Sequence, residues 1–468
     1  MVRMHGVARL SHGRDALTIC GVLVLSGGLA MVPSDAQQQI PPAPAPAVTA
    51  PAQSGTAPAP QPSPPVKERF LVDRFPDKPS LPPMFTIPIG PLGFTAPGAI
   101  YMGARNSMAS LDFLDENQLL FTFRIPGLLH RDLPNKDGSD ERQIRAVVIE
   151  LPKGTVEAEA TWTVHDRVRY LWPLNNGHFL LRDRNDLFEG DGTLKLKPYL
   201  DFPGSLLWIE LDPEQHFLVT NSREPAAKTA KSEDARGPST ASAITSDQDS
   251  GADGEAPNLV IRILRRDSGD VMLVSRARTA VHLPINSAGY LENLRGRGME
   301  WILNFNYFTG GSRMLGPVES NCEPDDEFLS EQEILATTCG PSGESSLVAV
   351  STAGKTLWES QAPPVEVWPQ LVVAANGSRL AWETLDTTHP IYAYAPMDAG
   401  DVKEQSVTIF DAANGDIAMV SPVSPILDAG GNVAISPSGR RVALLNDGAI
   451  QVFDLPPPAP LRISNGLP

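Results

Sequence analysis

The sequence predicts an all-β protein: a ring of about seven four-stranded antiparallel blades, a β-propeller, behind a signal peptide and a disordered proline-rich linker. Three observations carry the prediction. The first is punctuation. With 45 Pro and 38 Gly in 468 residues, breakers exceed the roughly 12% combined share of an average chain, which leaves room for strands but little for long helices. The second is alternation, because two kinds of hairpin pattern follow one another along residues 83–464. The third is period. From Ser110 to Val433 there are six intervals. Once one polar insertion is set aside, each spans about 48 residues, close to the roughly 40–50 of a propeller blade.

The first hairpin pattern is an alternating apolar run, a tight turn and a more apolar run. It recurs at 110–123, 170–181, 206–220, 371–384 and 433–446, with weaker copies at 290–305 and 322–339. Its turns carry Asn-Gly, Ser-Gly, Asp-Pro or Asp-Glu-Asn, the chemistry of short strand connections. The second pattern follows at 144–162, 259–275, 346–360 and 406–421, and a terminal run at 449–463 ends the series. A glycine before its second strand supplies a left-handed turn residue. Hairpin plus hairpin makes a four-stranded blade with two faces to bury, and stacking blades in a ring covers both. Ring closure has two candidates: residues 85–94 joining the last blade, or 461–464 supplying its outer strand.

Residues 1–36 read as a signal peptide. Arg3, Arg9 and Arg14 form a positive start, 16–32 is apolar, and Ser34-Asp35-Ala36 offers small residues for cleavage. The apolar run is shorter than the roughly 20 residues that span a bilayer. The expected location is therefore periplasmic or extracellular, with an uncleaved N-terminal anchor as the alternative, and no integral membrane domain is expected after cleavage. Residues 37–82 form the disordered linker, rich in Pro and Ala and suited to extended polyproline II. The folded domain is 83–464, interrupted by a polar insertion at 221–257 that reads as a disordered loop. Asp247, Asp249 and Asp253 within it lack the full ligand pattern of a calcium loop.

Charge narrows the partners. Lys and Arg total 38 against 55 Asp and Glu, a net charge of −17. This balance opposes phosphate neutralisation, so no nucleic-acid partner is expected. Outside the leader, Cys322 and Cys339 are the two cysteines. In an exported chain they read as a disulfide clamping the first two strands of the fifth blade. A metal site joining Cys322 to Asp325, Asp326 and Glu327 is the other arrangement, and two thiols without a histidine cluster carry it poorly. The acidic run 323–327 otherwise reads as a solvated turn.

Residues 433–455 and 406–420 resemble the YVTN-type and WD-repeat-like β-propeller repeats of secreted bacterial proteins. At the level of pattern the resemblance extends over most of 100–464. The Gly-His and Trp-Asp pairing of strict WD repeats is absent. The whole chain is also similar to exported acidobacterial propeller proteins, and that resemblance implies no activity.

If strands run from axis to rim as A to D, the long connections 126–142, 221–257 and 386–404 are B–C loops on one face. The D–A loops enter the axial funnel from that same face, and loops on a rigid scaffold are where binding residues concentrate. The richest D–A loop holds His165, Arg167, Arg169, Tyr170 and Trp172; another holds Glu366 and Trp368. Trp172 and Trp368 begin equivalent inner strands, each followed by proline. Aromatic rings with polar neighbours suit a protein or glycan partner, while the same tryptophans also suit packing between blades. His165 and Asp166 are adjacent on a strand and so point to opposite faces, which argues against an acid–base pair. His389 lies in an exposed loop. No nucleophile elbow, zinc-protease helix, phosphate loop or haem-attachment motif occurs. No catalytic residue, metal or cofactor is therefore assigned. The expected function is a non-enzymatic binding scaffold of the cell envelope. The alternative is an enzyme or carbohydrate binder with its site in the funnel.

Overall fold

The computed structural model describes residues 80–96, 109–125, 141–165, 169–224, 259–279, 281–341, 345–362, 367–391, 396–427 and 431–459. All belong to one compact unit. The expected signal peptide, 1–36, and linker residues 37–79 lie outside them, as do 126–140 and 225–258 of the first two expected long loops.

Seven antiparallel sheets follow one another along the chain, six of four strands and one of three. Blade 1 spans 110–164, blade 2 171–201, blade 3 205–277, blade 4 289–319, blade 5 325–362 and blade 6 367–422. Blade 7 takes strands A to C from 433–454, and its outer strand is Phe85–Pro88, paired antiparallel with Ala449–Asp454. Phe85 sits opposite Val452, and the Met84 N–H donates to the Val452 carbonyl at 2.7 Å. The N-terminal candidate thus closes the ring; 461–464 lies outside the described residues. Leu81, assigned by sequence to the linker, packs against the core between blades 6 and 7.

Period-2 alternation explains why the ring forms. In strand B of blade 1 (Gln118–Arg124), Leu119, Phe121 and Phe123 enter the core shared with blade 7. Leu120 enters the core shared with blade 2. Strand C (Arg142–Glu150) does the same, with Val147 and Ile149 on one face and Ile144, Ala146 and Val148 on the other. Every blade is apolar on both faces, and the cores lie between adjacent blades all the way round, from blades 1 and 2 to blades 7 and 1. The chain is a seven-bladed β-propeller.

The C–D turns bear out the expected glycine conformation. Gly154, Gly269, Gly354 and Gly415 have φ of 70°, 71°, 84° and 75°. At Gly415 space is restricted as well, since a Cβ there would lie 2.6 Å from the Trp358 ring of blade 5.

Four boundaries differ from the sequence reading. Asn221, Ser222 and Arg223, assigned to the insertion, complete strand B of blade 3 (Phe217–Arg223) because their backbones pair with Leu259–Ile261. Asp386 and Thr387 extend strand B of blade 6, pairing with Glu404 and Val402, so the 386–404 connection is shorter than expected. Arg142 opens strand C of blade 1 rather than ending a loop. The acidic run is not a solvated turn: Asp325 and Asp326 are buried in strand A of blade 5 (Asp325–Ser330). The Asn293 amide donates to Asp326 Oδ2 at 2.5 Å, which gives that buried oxygen a partner.

Blade 4 stops at its third strand, Ser312–Glu319, and only 320–324 separate it from blade 5. That connector is pinned. Cys322 is disulfide-bonded to Cys339, with Cα atoms 5.5 Å apart. The Asn321 N–H donates to the Cys339 carbonyl at 2.8 Å, and the Cys339 N–H donates to Ser320 Oγ at 3.0 Å. The disulfide takes Cys322 out of the alternative metal set, and among the described residues no cluster of metal-ligating side chains occurs. No helix among the described residues is long and apolar enough to cross a membrane.

Candidate functional site

A cavity of about 170 Å³ lies where the inner strands converge. Strand A of blades 1, 2, 3, 5, 6 and 7 each contributes to its wall, which places it on the ring axis. Its polar wall comprises Asp112, Arg169, Asp212, Gln215, Glu327 and Gln370; Leu211, Leu329, Leu371 and Val372 line it with aliphatic surface.

The strap from blade 1 to blade 2 brings four sequence-predicted residues together, and they do different things. His165 follows strand D of blade 1. Its Nδ1 lies 2.9 Å from Asp183 Oδ1, its backbone N–H donates to the same oxygen at 2.9 Å, and its Nε2 lies 3.5 Å from Glu141. It braces blade 1 against blade 2, away from the cavity wall. Tyr170 is buried between the same blades, with its hydroxyl 2.7 Å from Thr122 Oγ1. Arg169 and Trp172 do line the cavity. Trp172 is 4% exposed and belongs to the core between blades 2 and 3. The guanidinium groups of Arg169 and Arg182 sit 5.4 Å and 5.8 Å from its ring centroid. Its faces thus carry cations already, and the ring is a wall rather than an open platform. Arg169 Nε donates to the Leu171 carbonyl at 2.9 Å, which fixes the guanidinium there.

Trp368 lies in strand A of blade 6 (Val367–Val373) but is not the counterpart of Trp172: counted from the A–B turn, Val372, opposite Ala381, takes the place that Trp172, opposite Leu180, holds in strand A of blade 2 (Leu171–Pro173). The pairing register slips between Val367 and Gln370. Arg167, Asp166 and Glu366 lie outside the described residues.

Sequence reading passed over the residues that give the cavity its chemistry. Asp212 follows strand A of blade 3 (Ser205–Leu211) and is 2% exposed. Its Oδ1 accepts the Phe217 N–H at 2.6 Å, and its Oδ2 has no hydrogen-bond partner. Burial pushes this carboxyl up to about 6, against the Phe217 hydrogen bond that lowers it. Gln370 is 7% exposed, and its Oε1 also has no partner. Gln215 is fully engaged: its Oε1 accepts the Asn175 N–H at 2.5 Å and its Nε2 lies 3.4 Å from the Pro173 carbonyl, which ties the A–B turns of blades 2 and 3. The signal available in the sequence was a polar residue in an inner strand otherwise apolar, as in Pro-Gln-Leu-Val at 369–372.

A second buried polar group binds blades 3, 4 and 5. His282 Nδ1 lies 2.9 Å from Glu210 Oε2, and its Nε2 donates to the Asp326 carbonyl at 2.6 Å. The Nε2 bond fastens the connector after blade 3 to strand A of blade 5.

No family model matches the chain, and no curated protein matches it. Among solved structures it is similar to the WD40 domain of Toxoplasma gondii coronin, at 9% identity and a TM-score of 0.40, over 82% of this chain and 89% of that one. It is also similar to the β-propeller domain of the Trilobed protease from Pyrococcus furiosus, at 10% identity and a TM-score of 0.39, over 76% and 98%. Against the Pyrococcus horikoshii acylaminoacyl peptidase the values are 12% and 0.39, over 77% of this chain and 54% of that one.

Proposed function

We propose that the chain is an exported, non-enzymatic binding propeller whose recognition site is the axial cavity. One observation carries the reading. Asp212 and Gln370 line a cavity walled by six blades, and each keeps a buried acceptor atom without a partner. A buried polar atom left unpaired costs about 1–3 kcal/mol, so apolar residues would serve better at these positions if packing were their only task. The described lining carries one hydroxyl side chain, Ser110, which donates to Asp112 at 2.5 Å, and no histidine, cysteine or lysine. That inventory favours hydrogen bonding and charge over covalent chemistry.

Export is supported by the leader-like residues 1–36 and by the Cys322–Cys339 disulfide, which suits an oxidising compartment. The concentration of long B–C connections on one face supports a protein or glycan partner of the cell envelope.

The reading is tested by purifying the protein from cell envelopes, unfolding it and identifying released molecules by mass spectrometry, with Gln370→Leu in parallel. The expected result is a molecule retained by the wild type and lost by a variant that still folds. Equal retention by the variant, or turnover of the molecule by the wild type, overturns it.

A further inference from the structure

We infer that the outer edge of blade 3 is a self-association surface, to which a second copy of this chain adds its own blade 3 strand antiparallel, joining two rings through one continuous sheet. The inference is independent of the axial cavity and its ligand.

An outer strand has one edge without a backbone partner, and such an edge invites pairing unless charge, proline or burial blunts it. Six of the seven outer strands are blunted. An exposed Glu157 stands in that of blade 1, Pro198 in blade 2, Pro317 in blade 4, Glu359 in blade 5 and Pro88 in blade 7. In blade 6 (Ile417–Pro422) no residue before Pro422 is exposed. The outer strand of blade 3 (Val271–Ala277) differs. Val271, Met272 and Val274 are 51%, 37% and 54% exposed, and the first charge along the strand is Arg276. A β-bulge near the C–D turn, which can twist an edge away, does not set this blade apart, because blades 1, 2, 5 and 6 have one there too.

Charge selects the occupant. With the residue before it, the strand reads Asp-Val-Met-Leu-Val-Ser-Arg from Asp270 to Arg276, and both ends are exposed. Pairing it antiparallel with itself about a two-fold axis at Leu273 sets Asp270 of each copy against Arg276 of the other, and Met272 against Val274. Parallel pairing would set like charges together. The acidic end is held in place: the Ser268 hydroxyl donates to Asp270 Oδ2 at 2.8 Å, and the Arg265 N–H donates to the Asp270 carbonyl at 2.9 Å. A two-fold contact uses this edge once in each copy, so association closes at two chains. One strand against one strand buries less than the roughly 1,200 Å² of a standard interface, so the dimer is a weak one.

The test is sedimentation equilibrium of the oxidised, folded protein over a rising concentration series, with Val274→Lys, Asp270→Arg and Arg276→Asp in parallel. The wild-type mass is expected to climb from one chain to two. Each variant should weaken association about tenfold or more, with circular dichroism unchanged. An equal mixture of Asp270→Arg and Arg276→Asp should recover it, because each then offers the other's complement at both ends; a folding defect cannot produce that recovery. A single chain at every concentration overturns the inference. So does a dimer indifferent to the variants, a mass that grows beyond two chains, or a mixture no better than its components. A protein that stays single yet binds the peptide acetyl-Thr-Val-Thr-Val-Thr-amide, and loses it in Val274→Lys, has an edge for a foreign strand, which overturns self-pairing.

Discussion

Burial raises the Asp212 carboxyl from 3.8 to about 6, so its charge is carried at the expense of stability. Between those two values the native state holds a proton that the unfolded state has released. Stability therefore falls as pH rises through this window, by on the order of 3 kcal/mol in all, and stays lower above it. Asp212→Asn is expected to be as stable as the wild type or more so near pH 7, by about 1–3 kcal/mol, with the gap narrowing toward about pH 5. Urea unfolding at the two pH values checks this, and a less stable variant near neutrality would contradict it. Burial also lowers the Arg379 guanidinium from its ordinary value, and the Asp411 charge opposes that shift. Arg379 is 2% exposed, lies 3.4 Å from Asp411 and donates to the Pro456 carbonyl at 2.7 Å. Arg379→Ala leaves Asp411 buried without its cation and is expected to cost about 3–5 kcal/mol, read as a lower urea midpoint. Residue roles were the least legible part of the sequence. Trp172 and Arg169 stand out because tryptophan and a run of arginines are conspicuous, and both reach the cavity wall. Asp212 was hidden in an Asp-Pro turn signal, since its role depends on which atoms surround it and not on its neighbours in sequence.

Strands were far more legible, because alternation and turn chemistry are local. What failed was their ends. The polar residues Asn221, Ser222 and Arg223 look like loop, yet a strand's pairing partner decides where it stops, and that partner lies beyond the insertion at Leu259–Ile261. Asp325 and Asp326 misled for the related reason that an inner strand can bury carboxylates if another blade supplies donors, as Asn293 does. Two predictions belong to this scale. The disulfide closes a loop with a sequence separation of 17, which on chain-entropy grounds is worth about 3 kcal/mol. Replacing both cysteines by serine is expected to cost about 2–3 kcal/mol, and reductant should bring the wild type down to the variant's stability in urea unfolding. Gly415→Ala adds a Cβ against the Trp358 ring at a left-handed turn. A loss of about 1–3 kcal/mol is expected, checked by thermal denaturation.

At the scale of the whole molecule, repeat spacing read from the sequence gave the blade count, because each blade is one quasi-independent hairpin pair. The exception was blade 4, where 320–324 are too short for an outer strand and the Cys322–Cys339 bond fastens the connector instead. Closure was left between two candidates because pairing across so long a separation leaves no local trace. The closing strand makes its own prediction. Ile87 is buried in the core between blades 7 and 1. Ile87→Asp should raise hydrogen exchange first at 85–88 and 449–452, before the blades opposite respond; uniform exchange around the ring would show that closure is not a separable step.

The pairing of Phe85 with Val452 also sets a timetable for folding. Blades 1 to 6 are each complete in consecutive sequence, so each can collapse as its own stretch becomes available. The last cannot, because its outer edge is the first strand among the described residues and must wait for the latest ones. The entropy of bringing such distant segments together is spent before their contacts repay it, which makes ring closure the slow step. Until then the strand Ala449–Asp454 has an unpaired edge, and a neighbouring chain's Phe85–Pro88 fits it as well as its own does. At high concentration during refolding, the natural misassembly is therefore a chain of open rings, each completed by the next molecule's first strand.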